Sequence, residues 1–473
     1  MTTNTTAHRG GRLAAGSLGL AESVIMGVAG TAPAFSVAAT TAALIFAVGV
    51  LAPASLLYCG LIMLGSAFAF QHLNRGEPNA GASYAWVSRA FGPVPGFFAG
   101  WSVLIAQAVS MVSGTIPAAT ATLFLLAPSY STNVTAVSLV AASWMIIITA
   151  ITIKGIKIAS YVQVALTTVE VVLLIIIMAT ALVRFWDHPA HSFSLTWFSA
   201  LQFTPKMFAG GALTAIFMLW GWDVALNLNE ETRDSHSTPG VAVVLAMLVL
   251  LLLFVGFSVT ALISLTDSEI AAAGTNVVQA LADKLFPRPW SYVAVLAVML
   301  STIGTLEAAI LAFTRTMYAK SRGKALHDRY ARLHPKWQTP WIASIVLLAI
   351  ALTLVLTSSY LPTVGTVMRD AVNTVGFQGA LYYGLASFAC AWSHRGVIRK
   401  GKPLEVLLYV FWPIVSALFL GFVAIYSIPT FDLATNLIGL GGILLGVFPL
   451  IMNRRRLAVA APEKHEVRGT VSP

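Results

Sequence analysis

The sequence predicts an all-α polytopic membrane protein of about twelve transmembrane helices, a five-plus-five inverted repeat with discontinuous helices 1 and 6. Three observations predict it. Of the 473 residues, 58% are apolar and only 10% are charged, against about 25% charged in soluble domains. Apolar runs long enough to cross hydrocarbon, about 20 residues each, recur between polar or Gly/Pro breaks. The first and sixth of these runs each contain residues that a regular membrane helix does not carry without a reason: Pro33 in one, Asp223 beside Gly221 in the other.

The runs fall near 20–46, 49–72, 94–126, 134–153, 159–183, 208–229, 240–265, 290–318, 340–360, 367–392, 403–427 and 432–453. With the N-terminus in the cytoplasm, only Arg184, Lys206, Lys284, Arg288 and Arg369 of the 28 Lys and Arg residues lie outside. That is the positive-inside pattern, and it places both termini in the cytoplasm of a multi-pass inner-membrane protein. The net charge of +10 therefore follows the membrane and implies no nucleic acid. The run 13–46 is too long and too interrupted, by Glu22, for a cleavable signal. Asn453-Arg454-Arg455-Arg456 reads as a stop-transfer anchor before a short disordered end.

In the first span, Glu22 opens the helix, Gly27 and Gly30 loosen its middle, and Pro33 removes a backbone donor. Proline inside a helix costs about 3 kcal/mol unless the freed carbonyls find other partners. Gly30, Thr31, Ala32, Pro33, Ala34, Phe35 and Ser36 are therefore the candidate break, with Gly27-Val28-Ala29 as an alternative. A stripe of Ser23, Gly27, Gly30 and Ala34 would equally serve close helix packing.

The sixth span carries Phe217, Trp220, Gly221, Trp222 and Asp223 and ends in Glu230, Glu231, Arg233 and Asp234. If the segment is helical throughout, Asp223, Asn227, Glu230 and Asp234 form one stripe. A carboxylate near the bilayer centre costs roughly 2.5–3.5 kcal/mol, so the stripe must face protein or a water-filled path. Interrupted helices in matching positions of two halves are the mark of inverted-repeat transporters. Their bare half-helix ends offer amides to a carboxylate and carbonyls to a cation.

Four stretches give the chain a family resemblance. Asn79-Ala80-Gly81-Ala82-Ser83-Tyr84-Ala85-Trp86 leads through Arg89-Ala90-Phe91-Gly92-Pro93 to Gly96-Phe97-Phe98-Ala99-Gly100-Trp101. Gly221-Trp222-Asp223 is followed by Glu230-Glu231-Thr232-Arg233-Asp234. Arg315-Thr316-Met317-Tyr318-Ala319 and Leu333-His334-Pro335-Lys336-Trp337-Gln338-Thr339-Pro340 complete the set. Together they resemble the amino acid, polyamine and organocation transporter superfamily, over nearly the whole chain up to about Met452.

The resemblance implies a tail at 1–19, a transport core at 20–392 with spans 1–5 and 6–10 as the repeats, two additional spans at 393–453 and a tail at 454–473. The two expected breaks point to substrate binding by the window Gly30 to Ser36 and by Phe217, Trp220, Gly221 and Trp222; Phe217 and Trp220, one turn from Asp223, would close over the solute or serve packing alone. The sequence departs from the family at the first break, which lacks the common Gly-Ser-Gly pattern, and at Ser235, where a proline is usual. Several relatives carry a lysine in the fifth helix whose ammonium replaces a sodium ion; here the matching residue is Glu170. Gln163, Thr167 and Glu170 share a helical face, and an inward glutamate suits reversible protonation.

Glu22, Asp223, Glu307 and Gln107 complete the expected coupling or cavity-lining set, with Asp223 read as structural or proton-coupling rather than as a direct substrate contact. The function expected is permeation of an amino acid by alternating access with protons, or uptake or exchange of a polyamine or cationic amine, given those acids and no central Lys or Arg; a channel or a membrane receptor ranks below both, since neither needs two broken helices in register. Sodium stays open, because Ser and Thr hydroxyls near spans 1 and 8 could hold it. No cofactor is expected: the nine histidines fall at termini, loops and span ends without ligand spacing, and Cys59 and Cys390 sit in apolar runs. No Walker-type loop and no nucleophile with a base is present, so ATP drive and enzymatic chemistry are not expected.

Overall fold

The computed structural model describes Leu13 and residues 16–460, apart from the side chains at 156–160, 400, 455 and 457–460. Most of the expected N-terminal tail, and 461–473 of the C-terminal one, lie outside the described residues. Every long element among those described is a helix, and the one extended pairing is an isolated parallel bridge between Leu18 and Thr232.

Span 1 is Leu20–Thr31 followed by Pro33–Val48, span 2 Ala52–Gly76, span 3 Pro93–Leu126, span 4 Val134–Ile153 and span 5 Ile156–Phe185. Span 6 is Pro205–Met218 followed by the single turn Val224–Asn227; spans 7 to 10 are Thr238–Ser264, Val293–Arg322, Trp341–Thr357 and Val364–Ser393. Span 11 joins Pro403–Val406, a π turn at Leu407–Phe411 and Trp412–Ser427; span 12 is Leu433–Leu445, prolonged by Val447–Ala460. That last helix corrects the expected end at 453: the arginines 454–456 remain helical.

Nine helices among the described residues are long and apolar enough to cross a membrane, and the first of them, Leu20–Gly76, contains spans 1 and 2. Span 6 is too fragmented to qualify by length. Span 10 is long but carries Asp370, Gln378, Tyr382 and Tyr383 on its buried face. Counting these restores the twelve.

Spans five positions apart pack together, 1 on 6, 2 on 7, 3 on 8 and 4 on 9, in keeping with the pseudo-two-fold relation of inverted repeats. Spans 11 and 12 lie outside that set, against spans 2, 3 and 10. Apolar side chains such as Leu252, Ile425 and Leu437 stay exposed on the perimeter, where lipid rather than protein is their partner. Close approach inside is bought with glycine: Gly60 faces Leu251, and Gly65 faces Trp412 and Ser416.

Candidate functional site

Both predicted breaks are present. In span 1 the Ala32 amide turns back to the Ala29 carbonyl at 3.0 Å, with φ at 50°, and Pro33 opens the next half. Proline suits that first position because its missing N–H would be unpaired there anyway. The alternative at Gly27-Val28-Ala29 stays helical. In span 6 the ladder closes with Trp220 N–H on the Phe217 carbonyl, 3.1 Å, and the chain leaves through Gly221 at φ 110°, a region glycine alone enters freely.

The two breaks cross at Gly30 and Gly221. A Cβ on Gly221 would stand 2.7 Å from the Gly30 carbonyl carbon, and one on Gly27 would stand 3.1 Å from the Trp222 carbonyl oxygen. Neither site admits a side chain, so two interrupted backbones touch directly.

Span 8 stitches the first break. Thr305 Oγ1 donates to the Gly30 carbonyl at 3.0 Å, and one turn earlier Ser301 Oγ accepts from the Phe35 amide at 3.2 Å. Ser36 Oγ donates to the Thr31 carbonyl at 2.7 Å. Ser301 also lies beside the carboxyl of Glu170, whose Oε1 has no protein partner and which is 1% exposed. Gln163 and Thr167 are buried beside it, bonded to each other at 3.0 Å. The inward face expected of span 5 is therefore real, and it meets the first break through one hydroxyl.

Span 10 stitches the second break. Tyr383 and Tyr382 donate to Asp223 Oδ1 at 2.7 and 3.2 Å, Trp220 Nε1 donates to Tyr382 Oη at 2.7 Å, and the Gly221 amide donates to Tyr383 Oη at 3.2 Å. Trp222 stacks on Tyr383 with ring centroids 4.9 Å apart. Asp223 thus anchors the break to span 10. The single stripe expected from Asp223 to Asp234 does not form, because the helix is interrupted. Asn227 binds the Ala80 carbonyl and Thr316, Glu230 binds the Ala80 amide and Arg322, and Asp234 turns to Ser237.

A cavity of about 320 Å³ descends between spans 1, 3, 8 and 10 and the 7–8 loop. Its deep wall is apolar, with Phe35, Ile116, Ala294 and Val298; its mouth holds Gln279, Asp283 and Arg288. Phe35 is the single member of the expected binding set that lines it, and its ring meets Phe217 edge-on at 6.4 Å.

The opposite, basic end is closed. Glu231 and Arg315, both buried, form a two-toothed ion pair at 2.9 and 3.0 Å, and Glu230 pairs with Arg322. The amides of Ser17 and Leu18 donate to the Glu231 carbonyl at 2.8 and 3.2 Å, and Arg233 N–H returns to the Leu18 carbonyl at 2.8 Å. Fully buried Lys320 donates to the Phe97 carbonyl at 2.7 Å and lies over the Phe97 ring at 3.8 Å, with Trp101 and Tyr84 around it. The molecule is open at one end and plugged at the other.

Three expected residues stand apart from the crossing. Glu22 caps its own helix, accepting from the Gly19 amide at 3.1 Å. Gln107 is buried in span 3 beside Ser110. Glu307 is buried in span 8 with Oε1 lacking a protein partner. None of the three lines the cavity. Sequence reasoning missed Tyr382, Tyr383 and Lys320; the span 8 hydroxyl pair had a signal, two hydroxyl residues one turn apart in an apolar run.

A family model described as "Amino acid permease" matches residues 18–448. The chain is 22% identical to the "Serine/threonine exchanger SteT" of Bacillus subtilis, over 76% of this chain and 78% of that one. It is 24% identical to the mouse "b(0,+)-type amino acid transporter 1", over 79% and 75%. It is 25% identical to the "Low-affinity putrescine importer PlaP" of Escherichia coli, over 78% and 79%.

Proposed function

Because the chain belongs to the amino acid permease family, we propose that it is a secondary transporter of amino acids, working by alternating access in the cytoplasmic membrane with both termini inside. One observation carries the reading: two membrane helices lose their regular backbone at the same place, Gly30 against Gly221. Bare backbone dipoles there suit a zwitterion. The chain reversals at Ala32-Pro33 and at Leu219 to Trp222 interrupt the helical ladders, and half-helix ends of this kind offer amides to a carboxylate and carbonyls to an ammonium. Phe35 lines the cavity and meets Phe217 edge-on, and this ring pair is assigned as the gate that an entering solute parts.

Coupling is assigned to protons through Glu170. Its free carboxylate oxygen can take a proton, and its Ser301 contact leads straight to the Phe35 amide beyond the first break. Loading or unloading that proton changes what Ser301 can offer to the break. Sodium is the weaker choice, since Ser301 and Thr305 are already engaged with Phe35, Glu170 and Gly30.

The alternative is a polyamine or cationic amine carrier. It is favoured by two buried carboxylate oxygens without partners, on Glu170 and Glu307, and by the putrescine relative. Purified protein in liposomes, challenged with labelled amino acids and putrescine under imposed proton or sodium gradients, decides among these. Uptake of amino acids driven by protons supports the first reading. Putrescine uptake that neutral amino acids do not inhibit replaces it with the second, and an ion conductance without counterflow exchange removes both.

A further inference from the structure

We propose that Asp283 and Arg288 form an outer recognition site for zwitterions, taking the ammonium and carboxylate of an arriving amino acid before it reaches the broken helices. The inference rests on the transport reading above and names a site that reading does not use. Both residues line the mouth of the same cavity whose depth ends at Phe35, and no other charged residue lines it. One anion and one cation are the smallest set that distinguishes a zwitterion from an amine or an acid.

The loop treats these two charges differently from their neighbours. Lys284 is bound to Glu269 and to the Ser264 carbonyl, both at 2.9 Å, and Arg184 is bound to the Leu285 carbonyl at 2.9 Å. Asp283 and Arg288 form no ion pair with each other or with any other described residue. Asp283 accepts one bond from the Gln279 amide at 2.9 Å, and Arg288 lies 5.8 Å from the Tyr292 ring centroid. Each keeps most of its hydrogen-bonding capacity for a ligand.

The site is also placed to communicate inward. Asp283 and Gln279 lie one turn apart on the loop helix Val277–Leu285, which packs on the second half of span 1 as well as on spans 5 and 8. A solute held there touches the helix that leans on Pro33–Val48, the half that must move for the cavity to close.

The test uses the full chain in liposomes with each of the twenty tritiated L-amino acids, followed by KM and Vmax for the one taken up fastest. Competition by that acid's decarboxylated amine and by its deaminated acid is measured in parallel. Arg288→Gln is expected to raise KM about fivefold or more with Vmax unchanged, and to abolish competition by the deaminated acid alone. Asp283→Asn is expected to raise KM similarly and to abolish competition by the amine alone. Arg288→Lys restores most of the affinity, and salt near 0.5 M shrinks both effects. A damaged fold lowers Vmax and both competitions together, so the opposed selectivities are the decisive readout. KM within twofold of wild type in both variants, or loss of both competitors in each, overturns the site while leaving the transport reading intact. Absence of amino acid uptake by the wild type overturns that reading and the site with it.

Discussion

Replacing Gly221 by alanine tests the crossing of the two broken helices most directly. Its φ of 110° strains any residue with a side chain, at about 1–3 kcal/mol. The added methyl would sit 2.7 Å from the Gly30 carbonyl carbon and 3.2 Å from the Thr31 amide, and neither can move as a flexible side-chain tip could. Overpacking of this kind costs a further ~1–3 kcal/mol. Taking about 2 kcal/mol as the lower bound, the population with a closed crossing falls about thirtyfold. Gly210→Ala is the matched control: it lies on the same span, is exposed, and an added Cβ there meets nothing within 4 Å. Thermal stability of purified protein by size-exclusion chromatography, alongside uptake in liposomes, reads both variants. Gly221→Ala should lower both strongly and Gly210→Ala neither. If Gly221→Ala matches wild type in melting and uptake, the backbones do not touch and the argument for the site falls.

Four further outcomes follow from the same geometry. Glu231→Gln strands Arg315 in the plug and should destabilise by roughly 3–5 kcal/mol, visible as a lower Tm; replacing both partners by Leu and Met should recover much of that loss while speeding solute leak. Glu170→Gln should retain solute binding but lose the response of uptake to an imposed proton gradient, and an unchanged response would remove Glu170 from coupling. Tyr383→Phe deletes the shorter bond to Asp223 and the acceptor of the Gly221 amide, so uptake should fall more than stability, as seen from Vmax against Tm. In the 7–8 loop, burial opposes ionisation of Glu269, but the Lys284 ammonium and the Thr266 donors outweigh it and hold its carboxyl below the ordinary value. A depressed folded value means the contact stabilises above the unfolded pKa of about 4.3 and is lost as pH falls through the lower folded value. Protection factors for amide exchange at 266–285, taken relative to the intrinsic rate at each pH, should therefore be flat from pH 8 to 5 and fall only below about 4.

The helices were legible because the bilayer imposes one length and one polarity on each, so the apolar runs ended within a few residues of the helices found. The first break was legible because Pro33 cannot donate, and the second because Asp223 and Gly221 have no place in a regular apolar helix. What escaped reading was the set of partners. Tyr382 and Tyr383 lie about 160 positions from Asp223, and a tyrosine doublet in an apolar run looks like packing. Glu22 caps its helix, and the three-residue spacing to Gly19 indicates that cap only once the helix start is known. Lys320 carries no signal in the sequence, since nothing local shows that Phe97, Trp101 and Tyr84 enclose it.

The short pairing of Leu18 with Thr232 has a mechanical consequence. It ties the lead-in of one interrupted span to the exit of the other, so on the proposed transport cycle these two segments would be harnessed and swing as a single lever. A cargo fused just ahead of residue 16 is then expected to load that lever and slow turnover more than solute binding.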